Sequence, residues 1–138
     1  TVLKEGILKV SEMYPHIDQI SQEKVVAILK EDDRILVKTN KATYSAQIVV
    51  VAVGPSNLFN IEGLMEYVQP HKNLPPQKER IMLKNEHHLV TEGIYVVGVL
   101  AGWISQYAIA AGSGAQVGTD ILSSWNGGNF TMIHDVIS

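Results

Sequence analysis

The chain has 138 residues, 46% of them apolar and 18% charged, which is the make-up of one ordinary globular domain and excludes a disordered one. Its net charge of −3 and its scattered Lys and Arg residues exclude a nucleic-acid surface and a polybasic membrane patch. The absence of cysteine excludes a disulfide scaffold, a thiolate metal site, an iron–sulfur cluster and a Cys-x-x-Cys redox pair within this chain, and is compatible with a cytoplasmic protein.

Leu3, Ile7, Val10 and Met13/Tyr14 recur at helical spacing, with Lys4, Glu5, Lys9 and Glu12 between them, and Tyr14-Pro15 ends the pattern. This opening is an amphipathic helix rather than a signal peptide. Because residue 1 is Thr and not Met, a processed chain or part of something longer is expected. His16 to Ile20 reads as a short strand. Lys24 to Lys30 and Arg34 to Thr39 read as a hairpin joined by the acidic turn Glu31-Asp-Asp33, whose residues suit a turn and not a catalytic carboxylate pair. Ala42 to Gln47 adds a third strand and runs straight into Ile48-Val-Val-Val-Ala-Val53, a β-branched run typical of a parallel strand buried on both faces.

Gly54-Pro-Ser-Asn57 breaks that run, and a short helix or turn follows through Glu66. Residues 68–80, with Pro70, Pro75 and Pro76, read as an irregular connection. A strand at Ile81–Leu83, a hairpin-like partner at His88–Val90 and a second buried strand at Ile94–Val97 come next. The longest apolar stretch, Gly93 to Ile104, suits a core element and is too short for a membrane span. A helix from about Gln106 to Ser124 ends at Asn126-Gly-Gly-Asn, and Phe130 to Ile137 reads as a last short helix or docking strand.

A strand running into Gly98 and Gly102, then a small-residue helix, lets a backbone approach a flat or phosphorylated ligand closely and sets a helix N-terminus beside it. Gly112-Ser-Gly-Ala-Gln-Val-Gly118 has the wrong spacing for a dinucleotide loop and lies inside a helix, so its small residues read as a packing face. His87-His88 reads as part of a solvated hairpin, not a metal site, since neighbours on a strand face opposite ways. His16, His71 and His134 read as surface or tail residues. Ser113 has no His–Asp partner at recognisable spacing, so a hydrolase triad has no support. Trp103 and Tyr107 could stack on a flat ligand or equally cover the core or an interface.

Taken in order, these residues resemble a known family. Tyr44-Ser-Ala-Gln-Ile-Val-Val-Val-Ala-Val-Gly54 is similar to the "Ala-Thr-Gly" strand end of thioredoxin reductase-like flavoproteins. Leu89-Val-Thr-Glu-Gly-Ile-Tyr-Val-Val-Gly98 resembles their final "Thr-x-x-x-Gly-Ile-(Phe/Tyr)-Ala-Ala-Gly-Asp" motif, with the Thr two residues closer to the Gly. Ser105-Gln-Tyr with Ala110-Ala-Gly-Ser-Gly114 resembles their "Arg-Gln-x … Ala-Gly-x-Gly" helix start, and the hairpin 24–39 matches their β-meander in placement.

The resemblance spans nearly the whole chain. It implies an α/β, FAD/NAD(P)-binding-type three-layer domain over residues 1–138, a parallel sheet with helices and an inserted antiparallel meander, incomplete at its N-terminus. Residues 68–80 would stand where an NAD(P)H domain is inserted. Carried over, Val25 and Val26 would lie near the adenine of FAD and Ala52, Val53 and Gly54 near the diphosphate. Gly98 and Val99 would line the ribityl chain, and Gln106, Tyr107 and Ala108 the isoalloxazine. The implied activity is FAD-dependent oxidoreduction with NAD(P)H as co-substrate and an unknown acceptor, placed by the protein and carried out by the cofactor. No catalytic residue and no metal is implied, and the expected compartment is the cytoplasm.

Four departures set limits. The opening strand with its Gly-x-Gly-x-x-Gly loop is absent, as are the nucleotide domain and the Cys-x-x-Cys pair, and Val99 stands where the family has Asp. The chain resembles small family members that lack the nucleotide domain. Without the Gly-rich loop, FAD affinity of this chain alone should be poor. The alternatives are a cofactor-free structural or partner-binding remnant, and a subunit whose site a homo-oligomer or a complementing chain completes.

Overall fold

A computed structural model describes residues 1–131. The first helix, α1 (Val2–Met13), is capped by the Thr1 hydroxyl, which accepts from the Lys4 N–H at 3.4 Å, and it stops before Pro15 as its pattern predicts. None of its residues is buried. Its apolar stripe, with Leu3, Ile7 and Leu8 each more than half exposed, touches no core. His16 to Ile20 is not a strand; it forms a turn and irregular backbone instead. Nothing pairs with it among the described residues, and an isolated extended segment has no ladder to hold it.

The meander follows: β1 (Val25–Glu31), β2 (Arg34–Thr39) and β3 (Thr43–Ala46), antiparallel and in sequence order. Asp32 takes the left-handed φ of +53° that the tight turn needs, which Asp tolerates better than most residues. A bulge lies between Val25 and Ala27; beyond it Ala27 and Ile28 face opposite sides of the strand, and both are buried. The third strand does not run straight on. The chain bends at Gln47, and β4 (Val49–Val51) starts a different sheet, ordered β4–β8–β7, with β7 at Leu89–Thr91 and β8 at Ile94–Val96.

The sequence pattern is right about the pairing of β4 and wrong about its burial. β4 and β8 are parallel, Val51 opposite Val96. Only Val51 of the valine run is buried, while Val50 is 42% and Val53 49% exposed, because β4 forms the sheet's edge. The proline-rich stretch is more ordered than its composition predicts. Val68–Pro70 forms β5, paired with β6 (Ile81–Leu83), and Pro70 is tolerated at the strand end. His88–Val90 is therefore not a partner of Ile81–Leu83; the next strand turns at Glu92-Gly93 and pairs with β8.

After β8 a short 3-10 turn, Gly98–Ala101, leads through Gly102 to the long helix α2 (Tyr107–Trp125). Of the expected last element, the part beyond Thr131 lies outside the described residues. The core is shared among the small sheets: Ile28 and Ile35 of the meander meet Val51, Ile94 and Val96 of the parallel pair, with Leu64, Leu83 and Leu100 fully enclosed. Each of those three leucines contributes about 1.5–3 kcal/mol by leaving water. The architecture is mixed α/β, small sheets with two helices.

The surface is large for the mass. The chain exposes 10000 Å², whereas a compact monomer of 15.2 kDa would expose about 7,100 Å². Uncovered apolar residues of α1 and the free edge of β4 belong to that excess.

Candidate functional site

The parallel pairing brings two strand ends to the same rim. Val97 donates its N–H to Val51 O at 3.0 Å, so Ala52-Val53-Gly54 and Gly98-Val99 leave the sheet side by side. In an open parallel sheet the crevice beyond the carboxyl ends is where ligands bind. Gly98 has φ +70°, and a Cβ built there would meet Ala110 at an ordinary 3.9 Å, so backbone conformation and not crowding calls for glycine. The first turn of α2 has no side-chain cap, and Gln106, Tyr107 and Ala108 are all exposed, Tyr107 by 70%.

Of the ten residues the sequence nominates, Val25, Val53 and Gly54 line one cleft of about 470 Å³ with Glu23, Phe59 and Ile61. Val26 points away from it, 41% exposed, while its carbonyl accepts from Glu62 N–H at 3.0 Å. Ala52 is exposed beside the cleft, and Gly98 and Val99 are half-buried at the turn. The cleft and the start of α2 thus flank the same rim without sharing one cavity.

Two locks hold the cleft. Ser56 accepts the Leu58 N–H on its hydroxyl at 3.1 Å and the Phe59 N–H on its carbonyl at 3.0 Å, closing the Gly54-Pro55-Ser56-Asn57 turn. Glu23 accepts from the Thr39 hydroxyl at 2.8 Å and the Tyr44 phenol at 2.9 Å. That hydrogen bond to the carboxylate, with smaller contributions from burial and charge repulsion, raises the Tyr44 phenol above its ordinary value.

The turn after β8 is held by side chains distant in sequence. His71 donates from Nε2 to Val99 O at 2.8 Å and accepts the Asn73 N–H on Nδ1 at 3.1 Å, a pattern only the neutral ring can make. Asn73 Nδ2 donates to Gly102 O at 2.7 Å, and Asn85 Nδ2 donates to Ala101 O at 3.0 Å and Leu83 O at 2.8 Å. Ser113 accepts the Gly98 N–H at 2.9 Å and lies 2.8 Å from His88 Nε2, which also accepts from the Trp103 indole at 2.9 Å. The Trp103 and His88 rings face each other at 5.9 Å, tilted by 34°.

These contacts correct several sequence expectations. His71 and His88 are not surface residues but are each 7% exposed. His87 and His88 sit in a turn with left-handed φ of +48° and +73°, not on a strand. Ser113 does have a histidine partner, 25 positions away. The pair is no hydrolase centre, however. Ser113 is 6% exposed in mid-helix, its oxygen accepts the Gly98 amide, and no carboxylate among the described residues bonds to His88. Its geometry anchors the Gly98 turn to α2. Trp103 caps His88, whereas Tyr107 covers nothing in the core. Gly112, Gly114 and Gly118 do not pack against the sheet: a Cβ on any of them meets nothing within 4 Å, because α2 buries only Ser113 and Val117.

Pattern reasoning missed His71 and His88 because no motif spacing links them to the turn. The register of the β7–β8 hairpin was the one available signal. Leu89 pairs with Tyr95, and Val96 donates its N–H to His88 O at 2.9 Å, which sets His88 two residues short of Gly98.

Among the described residues no group of three or more His, Asp or Glu side chains is placed to hold a metal ion, and no helix is long and apolar enough to cross a membrane. No protein-family model matches the chain, and no curated protein matches it significantly.

Proposed function

We propose that the chain is an FAD/NAD(P)-binding-type domain, or the larger, C-terminal part of one, from a thioredoxin reductase-like oxidoreductase, taking electrons from NAD(P)H through FAD to an acceptor. The observation that carries this reading is the convergence of Ala52–Gly54 and Gly98–Val99 at one end of a parallel strand pair. Beside it, Val25, Val53 and Gly54 share a cleft walled by Phe59 and Ile61, which suits a purine. The residues fit an adenine and an extended backbone-held chain; they offer no carboxylate at position 99 for ribityl hydroxyls. When bound, the flavin supplies the hydride chemistry. The protein binds and orients it: the Gly98 turn presents backbone at close range, and its clamps keep that backbone from moving.

A second reading is favoured by the free edge of β4 and the uncovered α1 stripe: the site is completed by a homo-oligomer or a complementing chain. In both cases the chain alone should bind FAD weakly.

Titration of the isotope-labelled chain with AMP and with FAD tests this. Saturable amide shifts at Val25, Val53 and Gly54 with both ligands, abolished by Gly54→Val, are expected. Silence of those amides at millimolar AMP and FAD would sink the flavin reading. Light scattering with and without FAD then distinguishes completion by a second copy from a monomer.

A further inference from the structure

A second cavity, of about 530 Å³, opens beside the clamped turn, at Ala101. Its walls come from four separate pieces of chain: Lys72 after β5, His88 before β7, Trp103 after the 3-10 turn, and Gln116 and Asp120 on α2. Its volume is within the usual range of small-molecule sites. None of these residues belongs to the adenine-side cleft.

His88 is the informative group. An indole nitrogen can only donate, so the Trp103 bond to Nε2 requires that nitrogen to carry a lone pair. The Ser113 hydroxyl, whose oxygen accepts the Gly98 amide, lies 2.8 Å from the same nitrogen and can only share that one lone pair with the indole. The ring's proton therefore sits on Nδ1. That Nδ1–H has no hydrogen-bond partner among the described residues, yet no enclosed side-chain nitrogen or oxygen is left unsatisfied. His88 lines the cavity, and Nδ1–H is the donor the ring has left to offer there, on a residue only 7% exposed. Burial lowers the ring's pKa from its ordinary value, with Asp120 opposing and His87 reinforcing the effect.

The charges have a sense. Lys72 makes no ion pair among the described residues, whose single bridge is Lys30 to Glu92. Asp120, on α2, accepts from Gln116 at 2.9 Å and from no other side chain among the described residues. One cavity thus holds an ammonium and a neutral N–H donor, neither with a partner among the described residues, together with a carboxylate that has acceptor capacity to spare. A purely anionic ligand such as phosphate satisfies the first two and is repelled by the third. A ligand with an acid group at one end and a donor at the other satisfies all of them.

We propose that this cavity binds a small carboxylic acid bearing a hydroxyl or amino group, its carboxylate on Lys72 and His88 Nδ1–H and its donor on Asp120. The site is independent of the flavin reading and stands whether or not FAD binds. Because Ser113 joins His88 to the Gly98 amide, occupancy is felt at the turn.

The test is a titration of the intact chain with sodium lactate, glycine, propionate and inorganic phosphate. It is followed through the Trp103 indole N–H and the His88 ring nitrogens by NMR. Lactate or glycine should give saturable shifts with Kd at or below about 5 mM, with propionate at least fivefold weaker. Lys72→Met should weaken lactate binding at least tenfold. Asp120→Ala, which removes both the acceptor and the repulsion, should abolish the preference for lactate over propionate and leave propionate binding no weaker than in the unmodified chain. An unmoved Trp103 resonance in the unliganded variants shows the clamp intact, so a loss is not misfolding. No saturable shift, equal binding of lactate and propionate in the unmodified chain, tighter binding of phosphate, or unchanged affinity in Lys72→Met would each overturn the assignment.

Discussion

Gly63 is the glycine whose replacement should cost most, and the size of the effect follows from its surroundings. It has φ +93°, and a Cβ added there would lie 1.9 Å from the Ile28 carbonyl oxygen, a backbone atom that cannot swing aside. Two hydrogen bonds fix that approach: Ile28 N–H to Glu62 O at 2.8 Å and Glu62 N–H to Val26 O at 3.0 Å. Relief of the clash requires roughly an ångström of movement, which breaks both. Left-handed backbone costs an L-residue about 1–2 kcal/mol, and each lost bond about 0.5–1.5 kcal/mol net. Gly63→Ala should therefore destabilise by about 2–5 kcal/mol, a large share of the roughly 5–15 kcal/mol that holds a domain together. In urea this appears as a midpoint lowered by about 1–3 M at unchanged slope. Gly54→Ala, where a Cβ meets nothing within 4 Å and φ is ordinary, is the control and should stay within about 0.5 kcal/mol. A Gly63→Ala protein within about 1 kcal/mol of the unmodified one would refute the close-approach argument.

Gly114→Ala should raise stability by about 0.5–1 kcal/mol in the same assay, because the helix interior there is open and glycine only adds chain entropy to the unfolded state; a loss would mean that the α2 glycine face is covered in solution. Ser113→Ala leaves the Gly98 N–H without its acceptor and should cost about 1–3 kcal/mol, with the Gly98 amide exchanging faster in hydrogen exchange; unaltered protection there would remove Ser113 from the clamp. His88 has a folded-state pKa below its ordinary 6.5, so the folded protein binds fewer protons than the unfolded one and its contribution is complete only above that value. Stability should accordingly fall as pH drops from about 7.5 through the lowered pKa, and His88→Gln should flatten that fall. Equal urea midpoints for His88→Gln and the unmodified chain at every pH between about 5 and 7.5 would contradict it.

The sequence by itself determined the local elements. Apolar periodicity and Pro15 placed α1, the acidic turn placed the meander, and the β-branched runs 48–53 and 94–97 marked the parallel pair. These are properties of neighbours along the chain, so composition and spacing carry them. Tertiary structure alone decided how much of each element is covered. The valine run of β4 reads as buried on both faces, but burial depends on what lies beside it, and β4 is an edge. The same holds for α1, whose stripe finds no partner among the described residues, and for the α2 glycines, which face away from the sheet. The clamp of His71, Asn73, Asn85, His88 and Ser113 was illegible for a related reason. A hydrogen bond needs two groups within about 3 Å at a suitable angle, and strand register and sheet packing set that geometry between segments 15 to 29 residues apart, where no residue spacing records it.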